Sequence, residues 1–235
     1  MPSTLLVGAT GLVGSHILST LLESTAVTKV STLARRPPPV QETAGKLQVI
    51  EQSDSAKWAS ELGTITPPPD VFFSALGTTR AKAGGLAGQR KVDYDLNLEL
   101  AKAAQAAGVK TYVLISSAGT SATSPIPYSK MKAELEAAVS ALEFEHVVIV
   151  KPGLLMGKRE APDLLQSALN TLARGVGLIS GGRLVDFWAQ DADIIGKATV
   201  TAALQAASGQ GPAGRVWFVQ QADIVRLGRT EWKST

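Results

Sequence analysis

The feature that most constrains the fold is a glycine-rich segment near the N-terminus, VGATGLVG (residues 7–14). Its glycines directly follow an apolar run and open a helical pattern. Gly8 permits a tight turn, Gly11 lets the backbone approach a pyrophosphate, and Gly14 lets the helix pack closely on the strand. A glycine-rich turn without a ligand is the alternative. Because strand, loop and helix are in register, we favour a dinucleotide site at the positive helix N-terminus. Its predicted cofactor-binding residues are Gly8, Thr10, Gly11, Leu12, Val13 and Gly14.

Short apolar runs alternate with helical patterns along the rest of the chain. Strands are predicted at residues 4–7, 30–33, 47–50, 71–73, 111–115, 146–150 and 216–219. Helices are predicted at 12–22, 56–62, 92–107, 128–142 and 191–207. This alternation predicts βαβ units around a buried parallel sheet. The predicted fold class is therefore α/β, a doubly wound parallel sheet (Rossmann fold) with a small C-terminal substrate-side region.

The chain reads as one domain. We find no repeat or linker that would divide residues 1–235, a length that suits a single core. Segments 152–190 and 208–235 are expected to form the small substrate-side part, with a long loop at 175–183. Because the first strand begins near residue 3, no separable presequence is expected.

Composition excludes several function classes. The chain contains no cysteine, which rules out disulfides and thiolate chemistry, and its two histidines, His16 and His146, make a histidine metal centre improbable. The net charge is only +3 and the basic residues are scattered, so no nucleic-acid partner is expected. The longest apolar runs are too short to span a bilayer.

Two arginines stand where many dinucleotide-binding folds carry an acidic residue. That acid follows the second strand, about 20 residues beyond the glycines, and binds the ribose hydroxyls. Here the strand runs into Arg35 and Arg36. An arginine can pair with a 2′-phosphate, which a carboxylate would repel. Two solvated surface arginines are the alternative, and we favour NADP(H) as the cofactor.

A third group of residues follows the fifth predicted strand. Ser116 and Ser117 end that strand, at the edge where open α/β sheets bind ligands. Tyr128 and Lys132 are four residues apart and share a helix face that continues in an apolar stripe. A lysine on such a stripe is costly unless its ammonium finds partners, which a ribose and a tyrosine hydroxyl would supply. The alternative is that Lys132 reaches water and Tyr128 only packs.

Together these motifs resemble the short-chain dehydrogenase/reductase superfamily, in its extended and atypical branch. Within it the chain is most similar to the HIV Tat-interacting protein group and its fungal mitochondrial outer-membrane ("found in mitochondrial proteome") relatives. The segments that carry the resemblance are GATG (8–11), ARR (34–36), LGTT (76–79), VD (92–93), SS (116–117), YSKMK (128–132) and KPG (151–153). The resemblance implies an NADPH-binding fold with a catalytic triad of Ser117, Tyr128 and Lys132. It also implies cofactor contacts at Ala75, Leu76, Gly77, Tyr128, Lys132, Pro152 and Leu155.

The triad predicts a definite chemistry. Tyr128 would give a proton to a carbonyl oxygen as hydride arrives, and Ser117 would polarise that oxygen. A phenol has an ordinary pKa near 10, so Lys132 would supply the neighbouring cation that it needs near neutrality. Two departures are noted: Ser117 and Tyr128 are only eleven residues apart, and little chain follows Lys151 to form a substrate-recognising cap.

Two functions therefore stay open at this point. One is an NADPH-dependent oxidoreductase that acts on a small carbonyl or alcohol. The other is an NADP(H)-loaded binding or regulatory module with little or no catalysis, which would act through a protein partner. The resemblance implies peripheral attachment to the mitochondrial outer membrane, and a cytoplasmic protein is the alternative.

Overall fold

The computed structural model describes residues 1–40, 45–156 and 189–232 and contains one large parallel sheet. Seven strands lie in the order β3-β2-β1-β4-β5-β6-β9, and every neighbouring pair is parallel. They are β1 (Ser3–Val7), β2 (Lys29–Ala34), β3 (Leu47–Glu51), β4 (Val71–Ser74), β5 (Thr111–Ile115), β6 (His146–Val150) and β9 (Val216–Val219). All seven predicted strands are present. The predicted α/β Rossmann-type fold is confirmed.

Helices connect these strands. They are α1 (Leu12–Glu23), α2 (Trp58–Thr64), α3 (Leu86–Arg90), α4 (Asn97–Ala106), α5 (Pro127–Ser140), α6 (Ala192–Ala207) and α7 (Gln221–Val225). A 3-10 turn, Ser55–Lys57, precedes α2, and π-helical turns precede α4 (Lys91–Leu96) and follow α7 (Arg226–Glu231). The order of the strands and their connecting helices is that of a doubly wound sheet.

The helices cover both faces of the sheet, because successive strand residues point to opposite faces. On one face Leu6 of β1 packs in a cluster with Ile17 of α1 and Ile195 of α6. On the other face Leu5 packs in a second cluster, which includes Leu135 of α5 and residues of α2 and α4. The strands between these two layers therefore read as continuous apolar runs rather than as alternating ones.

Three features differ from the expected elements. The helix expected at 92–107 begins earlier, at Leu86, because the glycine pair before it caps a helix rather than forming only a turn. Gly85 precedes α3 with φ 128°.

A two-stranded parallel sheet joins β7 (Leu154–Met156) to β8 (Ala189–Asp191). Within segment 208–235, the part up to residue 232 belongs to the main sheet and its helical layer, through β9 and α7. The expected loop at 175–183 lies outside the described residues.

Helices α1 and α6 cross at a point where α6 has no room for a side chain. Gly196 of α6 faces the backbone of α1, and a β-carbon at Gly196 would lie 2.9 Å from the carbonyl carbon of His16. In contrast, Gly63 of α2 has nothing within 4 Å of the same position.

We therefore predict opposite effects of alanine at these two helix positions. Gly196→Ala should lower the free energy of unfolding by about 1–3 kcal/mol, because the helices must move apart. Gly63→Ala should raise it by up to about 1 kcal/mol, since alanine loses less conformational entropy on folding. Urea denaturation of both variants checks this. A Gly196→Ala variant as stable as the parent would contradict the close packing of the two helices.

Candidate functional site

The glycine turn between β1 and α1 is packed directly against the end of β4. Gly8 has φ 84°, a left-handed conformation that favours glycine. A β-carbon on Gly8 would lie 2.6 Å from the carbonyl carbon of Ala75, and one on Gly14 would overlap the Gly8 carbonyl oxygen. The structure thus brings together two predicted parts of the cofactor site, the glycine turn and the residues after β4.

The N-terminus of α1 is shaped to receive an anion. Gly11 is the N-cap, with φ −82° and ψ 167°, and it provides no side chain to cap the helix. The first turn of α1 carries no acidic residue, and Thr10 and Gly11 are both exposed. The N–H groups at Leu12 and Val13 therefore begin a helix whose positive end faces open space. This backbone fits the pyrophosphate of a dinucleotide.

The two arginines leave the sheet beside this turn. Strands β1 and β2 are parallel neighbours, and Val7 is paired with Leu33. Residues that follow these strands therefore lie at the same edge. Arg35 and Arg36 come directly after β2, and both are exposed. Their place is that of residues that contact the adenosine half of a bound dinucleotide.

The segment after β4 is held by a buried carboxylate. Asp93 lies in the π-helical turn before α4 and is almost fully buried. Its carboxylate accepts a hydrogen bond of 2.9 Å from the backbone N–H of Thr78, and the Gln89 side chain donates to the Thr78 carbonyl oxygen at 3.1 Å. These bonds fix the backbone just after Leu76 and Gly77, the residues predicted to lie along the cofactor.

The two serines after β5 have different surroundings. The Ser116 hydroxyl is buried and donates to the carboxylate of Glu136. The Ser117 hydroxyl is half-buried and makes a long 3.4 Å bond to the neighbouring carbonyl of Ala118. Ser116 is thus part of the packing. Ser117 therefore stays the predicted substrate-binding serine of the two.

Tyr128 and Lys132 lie on the first turns of α5, as the spacing predicts. Tyr128 is 37% exposed, whereas Lys132 is 2% exposed. The Lys132 ammonium donates to the carbonyl oxygen of Ile115, the last residue of β5, at 3.1 Å. The alternative in which this lysine reaches water is therefore wrong. This bond joins α5, which carries Tyr128 and Lys132, to the end of β5, which the two serines follow.

Lys132 lies near the carboxyl groups of Asp93 and Glu136. Burial lowers the pKa of Lys132, and the negative charges of Asp93 and Glu136 act in the opposite direction. Burial likewise raises the pKa of Asp93, against the effect of the Lys132 charge and of the Thr78 N–H bond. Asp93 enters the predicted site only through the resemblance, and Glu136 is not among the predicted site residues. The spacing of four residues from Lys132 was the signal that could have found Glu136.

The segment after β6 lies against the serine loop. The buried Pro152 accepts a hydrogen bond of 2.8 Å from the N–H of Ala118, next to Ser117. Leu155 lies in β7, where its backbone is paired with Gln190 of β8. The predicted cofactor contacts after β6 thus begin beside the predicted triad. The side chain of Leu155 lies outside the described residues.

Curated relatives match the chain along almost its whole length. It is 48% identical over 232 residues to protein fmp52-1, mitochondrial, of Aspergillus terreus, covering 97% of this chain and 100% of that protein. It is 50% identical over 232 residues to protein fmp52, mitochondrial, of Aspergillus clavatus, covering 97% and 99%. The Neurospora crassa protein fmp-52, mitochondrial, is 46% identical over 235 residues, covering 98% and 97%. The fungal part of the predicted resemblance is therefore confirmed.

Solved structures share the fold at low sequence identity. MoeE5 in complex with UDP-glucose and NAD matches with a TM-score of 0.66 and 19% identity, covering 93% of this chain and 75% of that one. The UDP-glucose 4-epimerase of Thermotoga maritima matches with a TM-score of 0.61 and 16% identity, covering 85% and 72%.

A family model described as NAD(P)H-binding matches residues 8–172, from the first glycine of the turn through the serine, tyrosine and lysine positions and beyond β7. This match spans more than half of the chain, and the fungal relatives span nearly all of it. The chain therefore belongs to the NAD(P)H-binding family of Rossmann-type proteins.

Proposed function

We propose that this protein is an NADP(H)-dependent oxidoreductase of the short-chain dehydrogenase/reductase type that acts on a small carbonyl or alcohol. The observation that carries the proposal is that an accessible Tyr128 and a buried Lys132 lie one helical turn apart on α5, and that Lys132 is bonded to the end of β5, two residues before Ser117. A hydroxyl next to a buried cation is suited to proton transfer, because the cation favours loss of the proton.

Each residue then has a distinct task. Ser117 donates a hydrogen bond to the substrate carbonyl oxygen and so stabilises the negative charge that develops on it. Tyr128 gives its proton to that oxygen, and Lys132 stabilises the phenolate that remains. NADPH, when bound, supplies the hydride. In the reverse direction the phenolate of Tyr128 takes the proton from an alcohol.

The cofactor preference is assigned to the end of β2. Exposed Arg35 and Arg36 offer guanidinium groups where a carboxylate would select NAD(H), and a 2′-phosphate is a strong partner for such groups. The solved structures with the same fold hold NAD or a nucleotide sugar, so the preference for NADP(H) depends on these two residues.

We also propose a peripheral position at the mitochondrial outer membrane. The fungal relatives carry "mitochondrial" in their names. In residues 1–40, 45–156 and 189–232 there is no helix long and apolar enough to cross a bilayer. The proposed attachment is therefore one of surface contact, and the Tat-interacting resemblance supports a protein partner in that role.

The first test concerns the cofactor. NADPH should bind at least about tenfold more tightly than NADH, a difference of about 1.4 kcal/mol. Replacing Arg35 and Arg36 together by alanine should remove most of this difference and leave NADH affinity little changed. Titration calorimetry with both cofactors measures it. Equal affinities in the parent protein would return both arginines to the role of surface charges.

The second test separates an enzyme from a binding module. A panel of carbonyl compounds is assayed by NADPH oxidation, with Tyr128→Phe and Lys132→Met as variants. Tyr128→Phe should lower turnover by ~10²- to 10⁴-fold with little change in NADPH affinity. Lys132→Met should weaken both turnover and cofactor binding, because its ammonium is assigned to the ribose as well.

Two outcomes would count against the enzyme. Normal turnover by Tyr128→Phe would show that the triad is wrongly assigned. If no compound is reduced and both variants fold and bind NADPH as the parent does, the binding or regulatory module replaces the oxidoreductase.

The third test concerns location. The protein should sediment with purified mitochondria at physiological salt and be released by high salt or alkaline carbonate, since a peripheral contact is largely electrostatic. Complete release at physiological salt would remove the membrane assignment in favour of a cytoplasmic protein.

A further inference from the structure

Glu136 lies one helical turn beyond Lys132 on α5 and is 7% exposed. Its carboxylate binds side chains from three different segments. One oxygen accepts hydrogen bonds from the hydroxyls of Ser116 and Thr120, the latter at 2.8 Å. The other oxygen accepts from the ammonium of Lys151 at 2.8 Å. A single carboxylate thus ties α5 to the ends of β5 and β6 and to the loop after β5.

The bonds of Glu136 lie on both sides of Ser117. Ser116 precedes that residue and Thr120 follows it by three positions, so the carboxylate holds the loop at both ends. A second link comes from Ser129 of α5, whose hydroxyl donates to the carbonyl oxygen of Gly119 at 3.0 Å. The loop that carries Ser117 is therefore fastened along the helix that carries Tyr128.

Packing alone does not account for a charge at this position. A buried carboxylate loses its hydration, and replacing a buried ion pair by apolar side chains of similar volume is often neutral or stabilising. Glu136 meets this cost with three donors. A carboxylate at this position is explained if the site needs its charge and needs the hydroxyl groups that it holds in place.

We propose that Glu136 is the positioning residue of this site: it sets Ser117 against Tyr128 and balances the charges of Lys132 and Lys151. This inference rests on the proposed oxidoreductase function. Glu136 touches no reacting atom in this assignment, and it acts through the serine loop and through the charge of Lys132.

The charge balance is local. Lys132 is influenced by Asp93, from the turn before α4, and by Glu136, from its own helix. Lys151, at the end of β6, pairs with Glu136. Loss of the Glu136 charge would therefore remove one of the two carboxylates that oppose the effect of burial on the pKa of Lys132. It would also leave Lys151 without its carboxylate partner. Both changes lower the pKa of Lys132.

The experiment compares Glu136→Gln with Glu134→Gln. Glu134 lies on the same helix and forms an ion pair of 2.9 Å with Arg90, but this pair is at the surface. Glutamine at 136 retains an oxygen for Ser116 and Thr120, and it removes the charge and the acceptor of the Lys151 hydrogen bond. Glu136→Ala removes the charge and the oxygen that binds Ser116 and Thr120. If this variant folds, it also tests the positioning of Ser117.

Two readouts are taken. The pKa of Lys132 is followed by NMR of the cofactor-free protein labelled at lysine Cε, with the resonance assigned from Lys132→Met. Glu136→Gln should lower this pKa by about one pH unit, and Glu134→Gln should leave it unchanged. With a carbonyl compound that the enzyme reduces, Glu136→Gln should move the alkaline limb of the profile of kcat against pH to lower pH. Glu136→Ala should lower kcat by ~10- to 10²-fold.

The outcomes separate this inference from the function on which it rests. If no substrate is found, the NMR titration still decides whether Glu136 controls Lys132. An unchanged Lys132 pKa in Glu136→Gln would overturn the proposal, whatever the activity. A shifted pKa with an unshifted kcat profile would also overturn it, because the charge of Lys132 would then not limit turnover.

Discussion

The close contact between the β1–α1 turn and the end of β4 is the constraint on which the other features depend. Because Gly8 and Gly14 carry no side chain, the turn can lie against the backbone of Ala75, and the first turn of α1 lies at the edge of the sheet. The same packing holds α1 on the face where α6 crosses it at Gly196. Fold and ligand site therefore share their residues: a side chain at Gly8 or Gly14 would disturb the packing and the predicted phosphate site together.

A second region at the same edge depends on buried charge rather than on glycine. Asp93, Lys132, Glu136 and Lys151 bring two anions and two cations to the ends of β5 and β6, mostly out of contact with water. Each of them would be costly alone, and together they are satisfied by one another and by backbone groups. Such an arrangement fixes the position of its members, because displacement of one leaves another without a partner.

The sequence was sufficient to predict the sheet and the close packing of the glycine turn. Strands β1 to β6 and β9 could be predicted because a buried parallel strand is an apolar run, and the glycine turn because its spacing has a direct steric meaning. The start of the helix at Leu86 could not be predicted, because a glycine pair indicates a turn as readily as a helix cap. The role of Glu136 depends on contacts with Thr120 and Lys151 that are distant in sequence, and no periodicity reveals them.

The two halves of the site bear differently on function. Binding a dinucleotide needs the glycine turn, the end of β2 and the backbone after β4, and of these only the last is held by a buried ionisable group, Asp93. The half around α5 has a buried ammonium at Lys132, a carboxylate fastened to the serine loop, and an accessible hydroxyl at Tyr128. Burying an ammonium and a carboxylate opposes folding unless each is paired. A module that only binds its cofactor would use Lys132 for the ribose, but it would gain nothing from the accessible hydroxyl of Tyr128. The cost of the buried charges is explained if the charge acts on a proton, and that is the physical reason to prefer an oxidoreductase over a binding module.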